Sequence, residues 1–441
     1  EFPKEVGLSH VKSEMKATQL MLKDITKEQI LNLPTNQDAK ELKKMKFMGI
    51  FIALANFSSP MLVPLLCCRM MKMTLEFGSC EDTISGLAFM SHALLHYSDD
   101  VVLASRVGRI AEQLIAGNIH EHSLRARLTQ MTSSVKVMVE PFQVVVEHCL
   151  KGYNSAKIVG DVDNAVLCSM LYCMAHFFSV PDLIGLQKYM VNFFQQMAKH
   201  KRIGVLHSVM AYFGAVTSLI GNKKSCKIDF KIEMKTNEEL YHIAEQTQSA
   251  YLKHNVLANQ MYTHCYFREY LIVADLGEDY RRMHTGTNNG TKRTLDFIKV
   301  FIGGISALCL ARDTKQEKWR KIGEDAVTTM TQLVENSAWN FENKLCLLQA
   351  ELYYLNRRDS MAELAYQASI ISAHDHKFFH EEALACELYG ICLIENKKLS
   401  KGMKQLRKAM KKYKTWGAMK KADSVKDFMY LVNKPAKLWN K

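Results

Sequence analysis

The chain has 441 residues, 48% of them apolar and 23% charged, with 7 prolines and 21 glycines. That length exceeds the roughly 250–300 residues that one hydrophobic core organises, and that composition excludes a disordered chain. The net charge of +13 resides in residues 397–441, which hold 15 Lys or Arg against 2 Asp, so the rest of the chain is balanced.

The sequence begins Glu1-Phe2-Pro3, without methionine, and reads as a fragment or a processed chain. No charged n-region and apolar h-region precede a cleavage site, so no secretion signal is expected. Residues 1–35 predict linker helices stopped at Leu33-Pro34. Asp38 is placed to cap the next helix, with Leu42, Met45, Met48 and Ile52 on one stripe. Gly78, Asp99-Asp100, Gly117-Asn118, Pro141, Gly160 and Pro181-Asp182 punctuate the helices that follow. Residues 36–282 read as a degenerate solenoid of helical hairpins. Ile203 to Ile220 carries no formal charge, at the lower edge of a membrane-span signal. With His207 inside it, the segment reads as a buried helix, and no membrane span is expected. Residues 221–235, with Lys223, Lys224, Lys227, Lys231 and Lys235, read as an irregular connection, and 283–292 as a loop.

From Arg293 to residue 432 a repeat is visible. Ala350 is followed by Ala362, Tyr366 and Ser369, and Gly390 by Gly402, Leu406 and Ala409, two copies 40 residues apart. Ala311, Gly323 and Val327 keep part of the pattern upstream, where Met330 breaks it. The tetratricopeptide pattern also puts small residues where two helices cross, because a larger side chain would push the axes beyond their usual ~8–10 Å. The fold class is therefore all-α, an α-solenoid of about twenty helices in antiparallel hairpins, closed by a basic tail at 433–441.

The chemistry searched for is sparse. A P-loop needs Gly-x-x-x-x-Gly-Lys-Ser/Thr, and no Gly-Lys pair occurs; Gly286-Thr-Asn-Asn-Gly290-Thr-Lys292 has the wrong spacing. The 12 cysteines form no Cys-x-x-Cys, which argues against a zinc site and for reduced, buried thiols in a cytoplasmic protein. His374, Asp375, His376, His380 and Glu381 cluster, and read as solvated loop histidines with a glutamate pair at a helix start. No metal, cofactor or catalytic residue is expected. In the basic run, Leu399, Met403, Leu406, Met410 and Tyr413 form an apolar stripe, and Lys401, Lys404, Lys408, Lys411 and Lys412 point away from it. That face is either a solvated surface or a site for an acidic partner, an anionic membrane surface or nucleic acid.

The string His380-Glu381-Glu382-Ala383-Leu384-Ala385-Cys386-Glu387-Leu388-Tyr389-Gly390, followed by Ala409, Tyr413 and Trp416-Gly417-Ala418, resembles the helical region of large signalling ATPases of the multi-sensor multi-kinase type, related to STAND-class AAA+ proteins. Asn340, Asn343-Lys344 and Leu347-Leu348-x-Ala350-Glu351-Leu352 resemble the preceding repeat. Tyr153, Gly160-Asp161 and Ala165, and Pro60, Arg69-Met70, Leu75, Gly78 and Ser85, are similar to earlier hairpins. The resemblance implies a module after an ATPase core and before an output domain. It brings no phosphate-binding loop to this chain. The same residues have a packing reading, with Trp416 capping an apolar groove, Gly417 ending a helix and Glu387 paired within its hairpin. The expected function is a non-enzymatic scaffold whose curved groove holds a protein partner, including flanking domains of the same polypeptide. The alternative is a repeat protein that binds nucleic acid or an anionic surface through its basic C-terminal helices.

Overall fold

The computed structural model describes residues 7–116, 121–221, 232–285 and 296–433. Among these, 21 α-helices account for the architecture, and the β-structure is one isolated bridge between Thr35 and Ser79. The fold is all-α, built from antiparallel hairpins. Glu1–Tyr172 with His284–Thr294 form one compact unit, and Cys173–Met283 with Leu295–Lys441 form the second. The expected loop at 283–292, the Gly286–Lys292 string, Lys223, Lys224, Lys227, Lys231 and residues 434–441 of the tail lie largely or wholly outside the described residues.

In the first unit lie α1 (Leu8–Asp24), α2 (Lys27–Leu31), α3 (Ala39–Ser58), α4 (Leu62–Phe77), α5 (Glu81–Ala93), α6 (Val101–Ile115), α7 (Glu121–Val139) and α8 (Phe142–Ile158). Caps set their ends. Asp38 accepts from the Lys40 and Glu41 amides, and Asp100 from the Leu103 amide. Thr26 and Gln29 form a capping box on α2. Helix α5 is the centre, buried along most of its length between α4, α6 and α7. Helix α9 (Val162–Phe177) contains the boundary between the units.

The second unit holds α10 (Leu183–Lys199), α11 (Ile203–Ile220), α12 (Asn237–Gln246), α13 (Ala250–Tyr266) and α14 (Tyr270–Thr285). It continues with α15 (Asp296–Thr314), α16 (Glu317–Asn336), α17 (Ala338–Leu355), α18 (Asp359–Asp375), α19 (Phe379–Glu395), α20 (Leu399–Trp416) and α21 (Met419–Val432). An inner row, α13, α15, α17 and α19, packs in succession; α16, α18 and α20 form an outer row. Helix α11 is long and apolar enough to cross a membrane by length and composition, but 61% of it is buried inside the fold, against α10, α13 and α21.

A 20-residue period runs through the turns. Arg357, Lys377, Lys397 and Gly417 all have positive φ, between 59° and 91°. After each, the next amide closes the helix end: Arg358 to the Tyr353 carbonyl, Phe378 to Ala373, Lys398 to Leu393 and Ala418 to Tyr413. This is the Schellman closure, which ordinarily selects glycine. Here a Lys or Arg occupies three of the four positions, so residue type gave no turn signal at Arg357 and Lys397.

Candidate functional site: the C-terminal repeats

The small residues of the repeat meet at helix crossings. Ala350, Ala362, Tyr366, Ser369, Leu406 and Ala409 are buried, as are Gly390 and Gly402. A Cβ on Gly390 would stand 3.1 Å from the Gly402 carbonyl oxygen and 2.9 Å from Leu406 Cγ. Ser369 donates to the Asn343 carbonyl at 2.8 Å, tying α18 to α17.

The motif residues are interior. His380, Glu381, Glu382, Glu387 and Trp416 are all buried. This corrects the expectation of solvated loop histidines at the start of α19: His374 is exposed, but His380 is fully enclosed and stacks on Trp416 with ring centroids 5.1 Å apart, while Glu381 and Glu382 do sit in the first turn of the helix. The reason is that α19 is an inner helix, covered by α17, α18 and α20, so even its first turn is desolvated. His376 stacks instead on Trp339, at 4.5 Å. Gly417 caps α20 with φ of 91°, and its neighbours are Leu183 and Ile184 of α10.

Each buried carboxylate has its own cation. Lys344 Nζ lies 2.7 Å from Glu381, which also accepts from Asn343. Lys421 Nζ lies 2.7 Å from Glu387, which accepts a hydrogen bond of 2.9 Å from the Tyr413 hydroxyl, with Arg268 at 3.6 Å. Arg312 pairs with Glu351, which accepts from the Tyr366 hydroxyl at 2.5 Å. Burial pushes the Glu381 carboxyl up, but Lys344 and His380 pull it down further, to about 2. Burial pulls the Lys421 ammonium below its ordinary value, opposed by Glu387. These pairings tie neighbouring hairpins to one another. Burial also pushes the Cys265, Cys386 and Cys392 thiols up to about 12, so they are protonated and poor nucleophiles. Among the described residues no group of three His, Cys, Asp or Glu is placed to hold a metal ion.

Sequence reasoning missed how the array folds back. Tyr266, at the end of α13, lies 6.0 Å from the Trp416 ring and 6.1 Å from that of Tyr413. The Arg268 guanidinium stands over Phe428, 4.2 Å from the ring centroid. Helix α21 packs on α11. These rings and ion pairs pack α13, α19, α20 and α21 against one another. No local signal distinguishes Lys421, which is fully buried, from its exposed neighbour Lys420.

The outer row remains. On α20, Lys401, Lys404, Arg407, Lys408, Lys411 and Lys414 are exposed, and the helix contains no acid. Lys412 leaves this face, because its ammonium lies 2.6 Å from buried Glu382. The positions 40 residues earlier, Met361, Leu364, Ala368 and Ile371, are exposed on α18 and apolar.

No family model matches the chain, and no curated protein matches it. A solved structure described as a circular tandem repeat protein with novel repeat topology and enhanced subunit contact surfaces shares 12% identity, over 96% of this chain and 98% of its own. The TM-score is 0.19, too low for that likeness to bear on fold or function.

Proposed function

We propose that this chain is a non-catalytic helical-repeat scaffold, the regulatory arm beside the ATPase core and output domains of a larger cytoplasmic signalling protein. One observation carries the scaffold reading. Between the last two repeats the inward positions stay small or apolar, Ala362 with Gly402 and Ser369 with Ala409, while the outward ones change from Met, Leu, Ala and Ile to Lys. A fold that keeps its packing and varies its surface is suited to presenting different faces to partners. The saturated buried carboxylates support a structural role for the motif residues. The ATPase context rests on the His380–Gly390 and Trp416-Gly417-Ala418 strings, and the cytoplasmic one on eleven described cysteines that are all free. The purified chain is expected to hydrolyse no ATP; turnover that co-purifies through successive columns and tracks the folded protein would overturn the reading.

A second reading follows from the six exposed bases of α20: binding to nucleic acid or another polyanion. On duplex DNA its affinity would fall with salt at a slope of about −0.9 per phosphate neutralised. Unchanged affinity after Lys404→Glu, Lys408→Glu and Lys411→Glu would remove it.

A further inference from the structure

We propose that the outer face of α18 is a docking surface for an amphipathic helix with acidic residues along one flank of its apolar face. The proposal deepens the scaffold reading and rests on it. Met361, Leu364 and Ile371 are 43%, 67% and 61% exposed, with Ala368 exposed between them. Their spacing puts them on one stripe about 15 Å long, three helical turns. An exposed aliphatic stripe of this kind has no role in the fold itself and marks a contact surface.

The neighbours decide the occupant. Lys398 Nζ lies 2.5 Å from Glu363, which ties α18 to the turn leading into α20; Arg320 donates to Asn356 at 2.6 Å, which ties α16 to the turn leading into α18. The outer row therefore runs α16, α18, α20. On the α20 side stand the exposed Lys401, Lys404, Lys408 and Lys411, of which Lys401 also acts on Glu363 of α18. On the α16 side, the stretch from Glu324 to Glu335 exposes Glu324, Asp325, Thr328 and Gln332 and contains no base. A helix laid along α18 buries its apolar residues on the stripe, sets its carboxylates over α20, and turns its other flank, neutral or basic, to α16. Helix-in-surface recognition uses this i, i+3, i+7 anchoring. An anionic bilayer would meet Glu324, Asp325 and Glu335 in the C-terminal part of α16, beyond the exposed Lys318 and Lys321 at its start. Nucleic acid would leave the aliphatic stripe unused and finds no exposed aromatic on α20 to stack on.

The test uses the whole chain and a labelled synthetic peptide of four turns, with Leu at i, i+3, i+7 and i+10, Glu on one flank and Lys on the other, read by fluorescence anisotropy. The variants are Leu364→Asp with Ile371→Asp, and Lys404→Glu with Lys408→Glu. All four sites are exposed, and circular dichroism checks that each variant is folded. The peptide should bind, each variant should weaken it at least tenfold, and a peptide with Lys on both flanks should bind at least tenfold more weakly. The docking site is overturned by no binding up to about 1 mM, by equal binding to wild type and either variant, or by phosphatidylserine vesicles or duplex DNA binding with the Lys404 and Lys408 dependence but no Leu364 dependence. Each of these leaves the ATP-turnover test of the scaffold reading untouched, so the two fail separately.

Discussion

The carbonyl oxygen of Gly390 lies 2.7 Å from the point where a Cβ on Gly402 would stand, so α19 and α20 cross backbone to backbone. Ile394 closes the same spot, its Cγ1 at 2.5 Å and its amide nitrogen at 3.2 Å. Backbone atoms cannot rotate out of the way. Gly402→Leu should therefore force the hairpin apart and destabilise the protein by about 3 kcal/mol, the upper end for an overfilled core. A lowered urea midpoint checks this; unchanged melting would mean the crossing is looser than drawn.

The Lys421–Glu387 pair can be taken apart in steps. Lys421→Met leaves Glu387 buried with Tyr413 and Arg268, and should cost about 3 kcal/mol, the lower end for a broken buried pair. Adding Glu387→Leu should recover part of the loss, because no fully buried charge is left without its partner and Arg268 keeps some contact with solvent. A double-mutant cycle in urea gives both numbers. Additive losses would show that the two side chains do not act as a pair.

Two turns should be improvable. Lys377 and Lys397 have φ of 63° and 62°, and both are exposed. Glycine adopts that conformation without a Cβ clash. Lys377→Gly and Lys397→Gly should each raise stability by up to about 1 kcal/mol, with fold unchanged. Thermal melting measures it, and a lower midpoint for both would contradict the turn geometry.

Stability should decline on mild acidification of the first unit. Burial pulls His92 down to about 4; burial, followed by Lys136, Arg125 and Lys151, pulls His148 down to about 3. Both lie below the ordinary value of 6.5, so the unfolded chain binds protons first as pH falls. The stability they contribute is complete above pH 6.5 and is lost as pH falls through the window down to 4 and 3. The slope per histidine is about 1.4 kcal/mol per pH unit at its steepest. Urea midpoints at pH 7 and pH 5 measure it, and His148→Gln, which cannot ionise, should flatten the dependence. A pH-independent midpoint would show that these rings are hydrated.

The sequence by itself determined what local chemistry decides. Asp38, Asp100 and Asp182 cap helices because a side-chain oxygen three residues from a free amide needs no tertiary partner. Pro141 and Gly417 mark ends because their backbone freedom is set by their own atoms. The 40-residue step was visible because small residues recur where helices touch. Only the tertiary structure decided which charges are inside. Lys344, Lys421, Glu381 and Glu387 look like surface residues of amphipathic helices, and their partners lie 34 to 37 residues away in the chain. Their burial is compensated because the packing of α21 and the inner position of α19 bring opposite charges to within 2.7 Å, a relation between helices that no single helix encodes.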